Sequence, residues 1–375
     1  MNQDSFPPQL LHQSVTERVA YFERYTMAHP HLLAAAQALM QAISEPAGAS
    51  LIFVFGPTGV GKSTLLRRVA QKLTEAALCD LVMDKGRIPI AGIEAVSPEF
   101  SNFDWKDFYV RCLIALKEPC ITKKINYRET KLTLRLALEA ALRNRRPDAF
   151  YIDEAQNLGK VVSGRKLRDQ SDCLKSIANI SQVRLIPTGT YDLLTLLDLS
   201  DQLCRRSVNI HFPRYYADCT SDIKTFKSVV QTFQRHLPLV EEPDLLQHWD
   251  YCYERTIGCV GILKDWLLRT LNAILQTDEN TKTLKCKQLE KHAWSPRQCM
   301  TMLKAALDGE ERVSESEALL SEMRLMMGLE PKIFQKKVGG EELRGNNIGI
   351  PIKKAGARGR RTPKRDKVGI KDYAE

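Results

Sequence analysis

The sequence predicts an α/β protein with a five-stranded parallel sheet and helices on both faces. A small all-helical domain and a basic tail follow the sheet. Three observations carry this. Short apolar runs such as Leu51 to Phe55 and Ala149 to Ile152 alternate with helical patterns up to about residue 215. From Ser221 the periodicity is helical only. Of the net charge of +10, the last 45 residues carry +8, with 13 Lys or Arg against five acids.

The elements follow in order. Ser14 and Glu17 fit a capping box, so a helix is expected over 15–43, broken near His29-Pro30. Residues 51–55 are wholly apolar and read as a buried parallel strand. A Gly-rich loop and a helix to about Ala77 come next, then a second strand within Arg87 to Ala95. Helices are expected over 104–117, 128–144 and 169–181. Further strands are expected at 149–152, 183–187 and 207–212. Helices then fill about 221–236, 243–255, 259–276, 285–292, 296–307 and 314–327. The expected domains are an N-terminal helical segment (1–45), an α/β core (46–215), a helical domain (216–328) and a flexible tail (329–375).

Composition excludes several classes. No apolar run approaches the ~20 residues that a membrane span requires. Met1 to Ser14 has no basic start followed by an apolar stretch, so no signal peptide is expected. The ten cysteines show no CxxC and no paired metal spacing, which argues against a zinc site or a disulfide scaffold. They read as reduced core residues of a cytoplasmic protein. The Gly- and Lys/Arg-rich tail has too little apolar surface to offset its ordering entropy and suits an acidic partner.

Gly56-Pro57-Thr58-Gly59-Val60-Gly61-Lys62-Ser63 matches the phosphate-loop pattern G-x-x-x-x-G-K-[ST], between an apolar strand and a helix that opens with Thr64. Glycines let backbone amides turn towards phosphate oxygens. Lys62 supplies positive charge at the β- and γ-phosphates, and Ser63 offers a hydroxyl to Mg2+. ATP and Mg2+ are therefore the expected cofactors. Asp153 and Glu154 close the third strand: Asp153 can reach Mg2+, and Glu154 can orient or deprotonate an attacking water. Asp84 is the rival for the metal, but no acidic neighbour follows it. Thr188, after the fourth strand, is the candidate reporter of the γ-phosphate, with Thr190 as substitute. Arg206, or else Arg205, precedes the fifth strand and can neutralise transition-state charge in a neighbouring subunit.

These motifs, in this order, resemble an AAA+ ATPase. More narrowly the chain resembles the TnsC/TniB transposition regulators. The supporting stretches are Arg18 to Phe22 with His29-Pro30, Asp153 to Gln156, Leu174-Lys175 with Ile177 to Asn179, and Pro187 to Thr190. Gly258 to Leu267 is similar to that family's lid segment, with Lys264 a stand-in for its second nucleotide sensor. Ser207 stands where an aromatic is expected, which leaves the choice between Arg205 and Arg206 open.

The resemblance implies a bacterial ATPase that forms a ring or helical filament on double-stranded DNA when ATP is bound. It implies a link between a TniQ-like target selector and a TnsA/TnsB-type transposase, with the tail facing the transposase. Hydrolysis would dismantle the assembly. Some members serve CRISPR-guided transposons. Lys123, Lys124, Arg128, Thr130 and Lys131 are the candidate DNA-backbone contacts, since phosphate contacts need only basic and hydroxyl groups. A replication-type loader of the same class and a nucleotide-switched signalling ATPase are the alternatives.

Overall fold

The computed structural model describes residues 5–45, 49–98, 103–119, 130–160, 164–198, 205–314 and 317–329. The expected tail from residue 330 onwards lies outside them. The chain divides into two compact units, Met1–Ser314 and Glu315–Glu375.

The first unit is built on a five-stranded sheet of order β2-β3-β4-β1-β5, parallel throughout. Its strands are β1 (Leu51–Phe55), β2 (Ile90–Glu94), β3 (Ala149–Asp153), β4 (Arg184–Gly189) and β5 (Ser207–His211). Each expected strand is present. β4 runs two residues further than expected, so Thr188 lies inside it, in register with Val54. β1 is flanked by β4 and β5, neither next to it in sequence. The strand order therefore switches there, which opens a crevice beyond the strand ends.

All five residues of β1 are buried because the two faces of the sheet carry separate cores. Leu51, Phe53 and Phe55 join one core, with α5 (Trp105–Ala115), α6 (Lys131–Arg145) and α7 (Gly164–Ser181). Ile52 and Val54 join the other, with α2 (Pro30–Ser44) and α3 (Lys62–Ala76). The two-residue period of a strand requires this division. The short helices α4 (Leu78–Met83) and α8 (Leu194–Leu197) were not expected. α4 buries none of its residues, so it leaves no apolar period to read.

A third core belongs to the helices after the sheet: α9 (Thr220–His236), α10 (Trp249–Thr256), α11 (Val260–Thr277) and α12 (Cys286–His292), while α13 (Pro296–Val313) packs Cys299 and Ala306 in a smaller cluster with Ile257, Cys259 and Ile262. Trp266 is fully buried in the third core, its indole N–H donating to the Leu289 carbonyl at 3.0 Å. Residues 5–45 do not pack as one segment. α1 (Val15–Arg24) begins with the expected Ser14–Glu17 capping box and buries Phe22 among the later helices, whereas α2 packs on the sheet. Burying a ring such as Phe22 contributes about 1.5–3 kcal/mol, and Val15, Val19 and Tyr21 pack beside it against the same core. Residues 25–29 span the two cores, and Pro30 starts α2 where its missing N–H costs nothing.

α13 runs to Val313, six residues beyond the expected end at 307. Gly309 lies inside this extension. The Tyr191 ring lies where a Cβ would stand, so this glycine serves packing rather than termination. In the second unit, α14 spans Glu317–Met326.

Candidate nucleotide-binding site

The loop from Gly56 to Gly61 leaves the end of β1 and enters α3 at Lys62. Gly59 and Gly61 have φ of 73° and 114°, the left-handed region that residues with side chains avoid. The Lys62 ammonium donates to the Gly56 and Pro57 carbonyls at 3.0 and 2.9 Å. Burial pushes its pKa down, against the pull of Glu154, Cys259 and Asp153. A partly dehydrated cation held at the mouth of this loop can exchange carbonyl partners for phosphate oxygens at modest desolvation cost.

β3 lies two strands away, yet it delivers its last carboxylate to the same place. The Ser63 hydroxyl donates to Asp153 Oδ2 at 2.7 Å, and the Glu154 N–H donates to Asp153 Oδ1 at 3.0 Å. Ser63 and Asp153 therefore offer converging hard oxygen donors, the chemistry that Mg2+ prefers. Asp84 is elsewhere, ion-paired with Arg146 and accepting the Gly86 N–H at 3.0 Å. Glu154 adopts φ 51° and ψ 32°, an uncommon backbone for a side-chain-bearing residue.

The helical part closes over the loop. The Ile262 N–H, in the first turn of α11, donates to the Gly59 carbonyl at 3.2 Å, and Gly261 lies directly against Gly59. A small cavity beside the loop is walled by Thr26, Met27 and His29 on one side and by Val60, Thr64 and Lys264 on the other. Lys264 donates to the Glu23 carbonyl at 2.7 Å, and burial followed by nearby Arg67 lowers its pKa. His29 bonds the Tyr215 hydroxyl at 2.9 Å, and burial, aided by His31, lowers its pKa to about 4.

The remaining expected residues fall as follows. Thr188 is fully buried, and its hydroxyl donates within its own strand to the Ile186 carbonyl at 3.4 Å. Thr190, its substitute, stands at the strand's exit, half-buried, beside the acidic pair through Gln156. Arg205 and Arg206 are exposed and directly precede β5, an edge strand. Lys123, Lys124 and Arg128 lie outside the described residues. Thr130 caps α6, accepting the Thr133 N–H at 3.2 Å, and Lys131 is exposed in the first turn.

Sequence reasoning missed the residues that frame the site. Gln156, Gly261 and the Thr26–His29 wall were not assigned roles. Gln156 was legible as a polar residue two positions beyond the Glu154 carboxylate. The cavity wall was not, because residues far apart in sequence make it.

A phosphate loop beside an acidic strand end, on a sheet of order β2-β3-β4-β1-β5 with a helical lid, defines a P-loop nucleotide-binding protein of AAA+ fold. Comparison with known proteins agrees. Residues 45–197 match the AAA domain family AAA_22. Among solved structures, the chain is similar to the Aeropyrum pernix ORC1 protein in complex with DNA, at 17% identity and TM-score 0.52, over 87% of this chain and 78% of that one. It is also similar to Cdc6p from Pyrobaculum aerophilum, at 15% identity and TM-score 0.49, over 73% of this chain and 69% of that one. A search of curated protein sequences returned no match.

Proposed function

We propose that this chain is an ATP-hydrolysing transposition regulator of the TnsC/TniB kind. It assembles on double-stranded DNA and connects a TniQ-like selector to a TnsA/TnsB-type transposase. The observation that carries the ATPase reading is the Ser63–Asp153 hydrogen bond at 2.7 Å, with Glu154 next in sequence. Ser63 and Asp153 would hold Mg2+, which when bound neutralises charge on the triphosphate. Lys62 supplies the positive charge nearest the β- and γ-phosphates. Glu154 accepts the proton of the attacking water. Thr188, or Thr190 in its place, reports the γ-phosphate, and Lys264 senses nucleotide from the lid side. Arg206, or Arg205, reaches a neighbouring subunit, which is why its exposure beside an edge strand matters.

The transposition reading is supported by the sequence stretches from Arg18 to Phe22 and from Gly258 to Leu267. ATP favours the DNA-bound oligomer and hydrolysis releases it, so nucleotide sets the population of assemblies. Lys131 and the basic residues before it contact the DNA backbone, and residues 329–375 face the transposase. A replication-type loader is the second reading, favoured by the likeness to an ORC1 protein in complex with DNA. Pull-down with the ATP-loaded chain separates them. Retention of a transposase supports the first reading, and retention of a replicative helicase instead would replace it with the second.

A further inference from the structure

Glu154 is held by a neighbour. Gln156, in the 3-10 turn Ala155–Gly159, donates from Nε2 to Glu154 Oε2. Its Oε1 accepts the Thr190 N–H at 3.2 Å. One side-chain amide therefore joins the carboxylate beyond the end of β3 to the backbone beyond the end of β4. Gly189 makes room for it. A Cβ there would overlap Gln156 Oε1 and stand 3.2 Å from the Gln156 nitrogen and 3.3 Å from its Cδ. The amide satisfies both ends because its nitrogen donates while its oxygen accepts. A carboxylate at position 156 would face Glu154 with like charge, and an apolar side chain would leave the half-buried Thr190 N–H without this acceptor.

We infer that Gln156 is a positioning residue for hydrolysis: it aims the Glu154 carboxylate and makes that aim depend on where the end of β4 lies. A displacement of Thr190 is passed through the amide to the base. Gly189 belongs to the same device, since its missing side chain is what lets the amide reach both partners. The inference rests on Glu154 acting as the base proposed above.

The test is steady-state ATP turnover by the full-length chain with duplex DNA, comparing wild type, Gln156→Ala, Gly189→Ala, the double variant and Glu154→Gln. Each of Gln156→Ala and Gly189→Ala is expected to lower kcat by about tenfold while KM for ATP stays within about twofold, since aim rather than binding is lost. Gly189→Ala is expected to add little in the Gln156→Ala background, where the overlapping amide is gone and only the close backbone nitrogen of residue 156 remains. Purely structural roles would give additive losses and parallel falls in thermal stability. Gln156→Ala only removes atoms from a half-buried side chain, so it keeps the test decisive if Gly189→Ala fails to fold. Additive losses overturn this inference alone, as does an unchanged kcat in Gln156→Ala alongside a slowed Glu154→Gln. No turnover by the wild type overturns the reading of the site and this inference with it.

Discussion

Arg214 and Glu310 form a two-pronged ion pair, Nε to Oε1 at 2.8 Å and Nη2 to Oε2 at 3.1 Å, with side chains only 8% and 13% exposed. Arg214 follows β5, and Glu310 lies in the last turns of α13. The same guanidinium donates to the Ile257 carbonyl at 3.2 Å, just before the lid helix α11. The pair thus joins the sheet, the lid and the last helix before the second unit. Removing one partner strands a buried charge, so Arg214→Leu or Glu310→Leu should lower stability by about 3–5 kcal/mol. The double substitution should cost less than the sum of the two. Urea denaturation of the three variants measures both.

At Gly261 the lid meets the phosphate loop backbone to backbone. A Cβ on Gly261 would collide with the Gly59 carbonyl, an atom that cannot swing aside as a side-chain end can. Gly261→Ala should therefore push α11 off the loop and break the Ile262–Gly59 hydrogen bond. Nucleotide affinity should fall by about tenfold, equivalent to about 1.4 kcal/mol. Titration with a fluorescent ATP analogue reads this, and an unchanged Kd would show that the contact does not shape the site.

His29 gives the fold a pH dependence with a definite sign. Its folded pKa is about 4, against an ordinary value of 6.5. The unfolded chain therefore binds the proton more readily, and stability rises with pH between those values. The contribution is fully present above about pH 6.5 and is lost towards pH 4, amounting to about 3 kcal/mol. Urea midpoints for wild type and His29→Gln from pH 7.5 to 4.5 should differ in slope across this window, with the wild type steeper. Parallel curves would show that His29 titrates as it does in the unfolded chain.

Local chemistry was legible in the sequence and distant packing was not. Leu51 to Phe55 announced a strand buried on both faces, and Ser14 with Glu17 announced a helix start, because each signal lies within a few residues. The Gly56 to Gly61 loop between a strand and a helix, and Asp153 at a strand end, were readable because the apolar runs before them mark the strands. The extension of α13 past residue 307 was not legible, and Gly309 within it answers to the Tyr191 ring, more than a hundred residues away in sequence. α1 and α2 look like one interrupted helix, yet Phe22 and Leu39 are buried in different cores. Thr188 was expected just past its strand, but β4 continues to Gly189.

We propose that nucleotide controls assembly on DNA. The direct measurement is electron microscopy with analytical ultracentrifugation of the chain and short duplex DNA, in ATP, a non-hydrolysable analogue or ADP. Wild type should form rings or filaments in the triphosphate states alone. Lys62→Ala should form none, and Glu154→Gln should hold DNA longer in ATP while hydrolysing it slowly. A wild-type monomer that ignores both DNA and nucleotide would contradict the account.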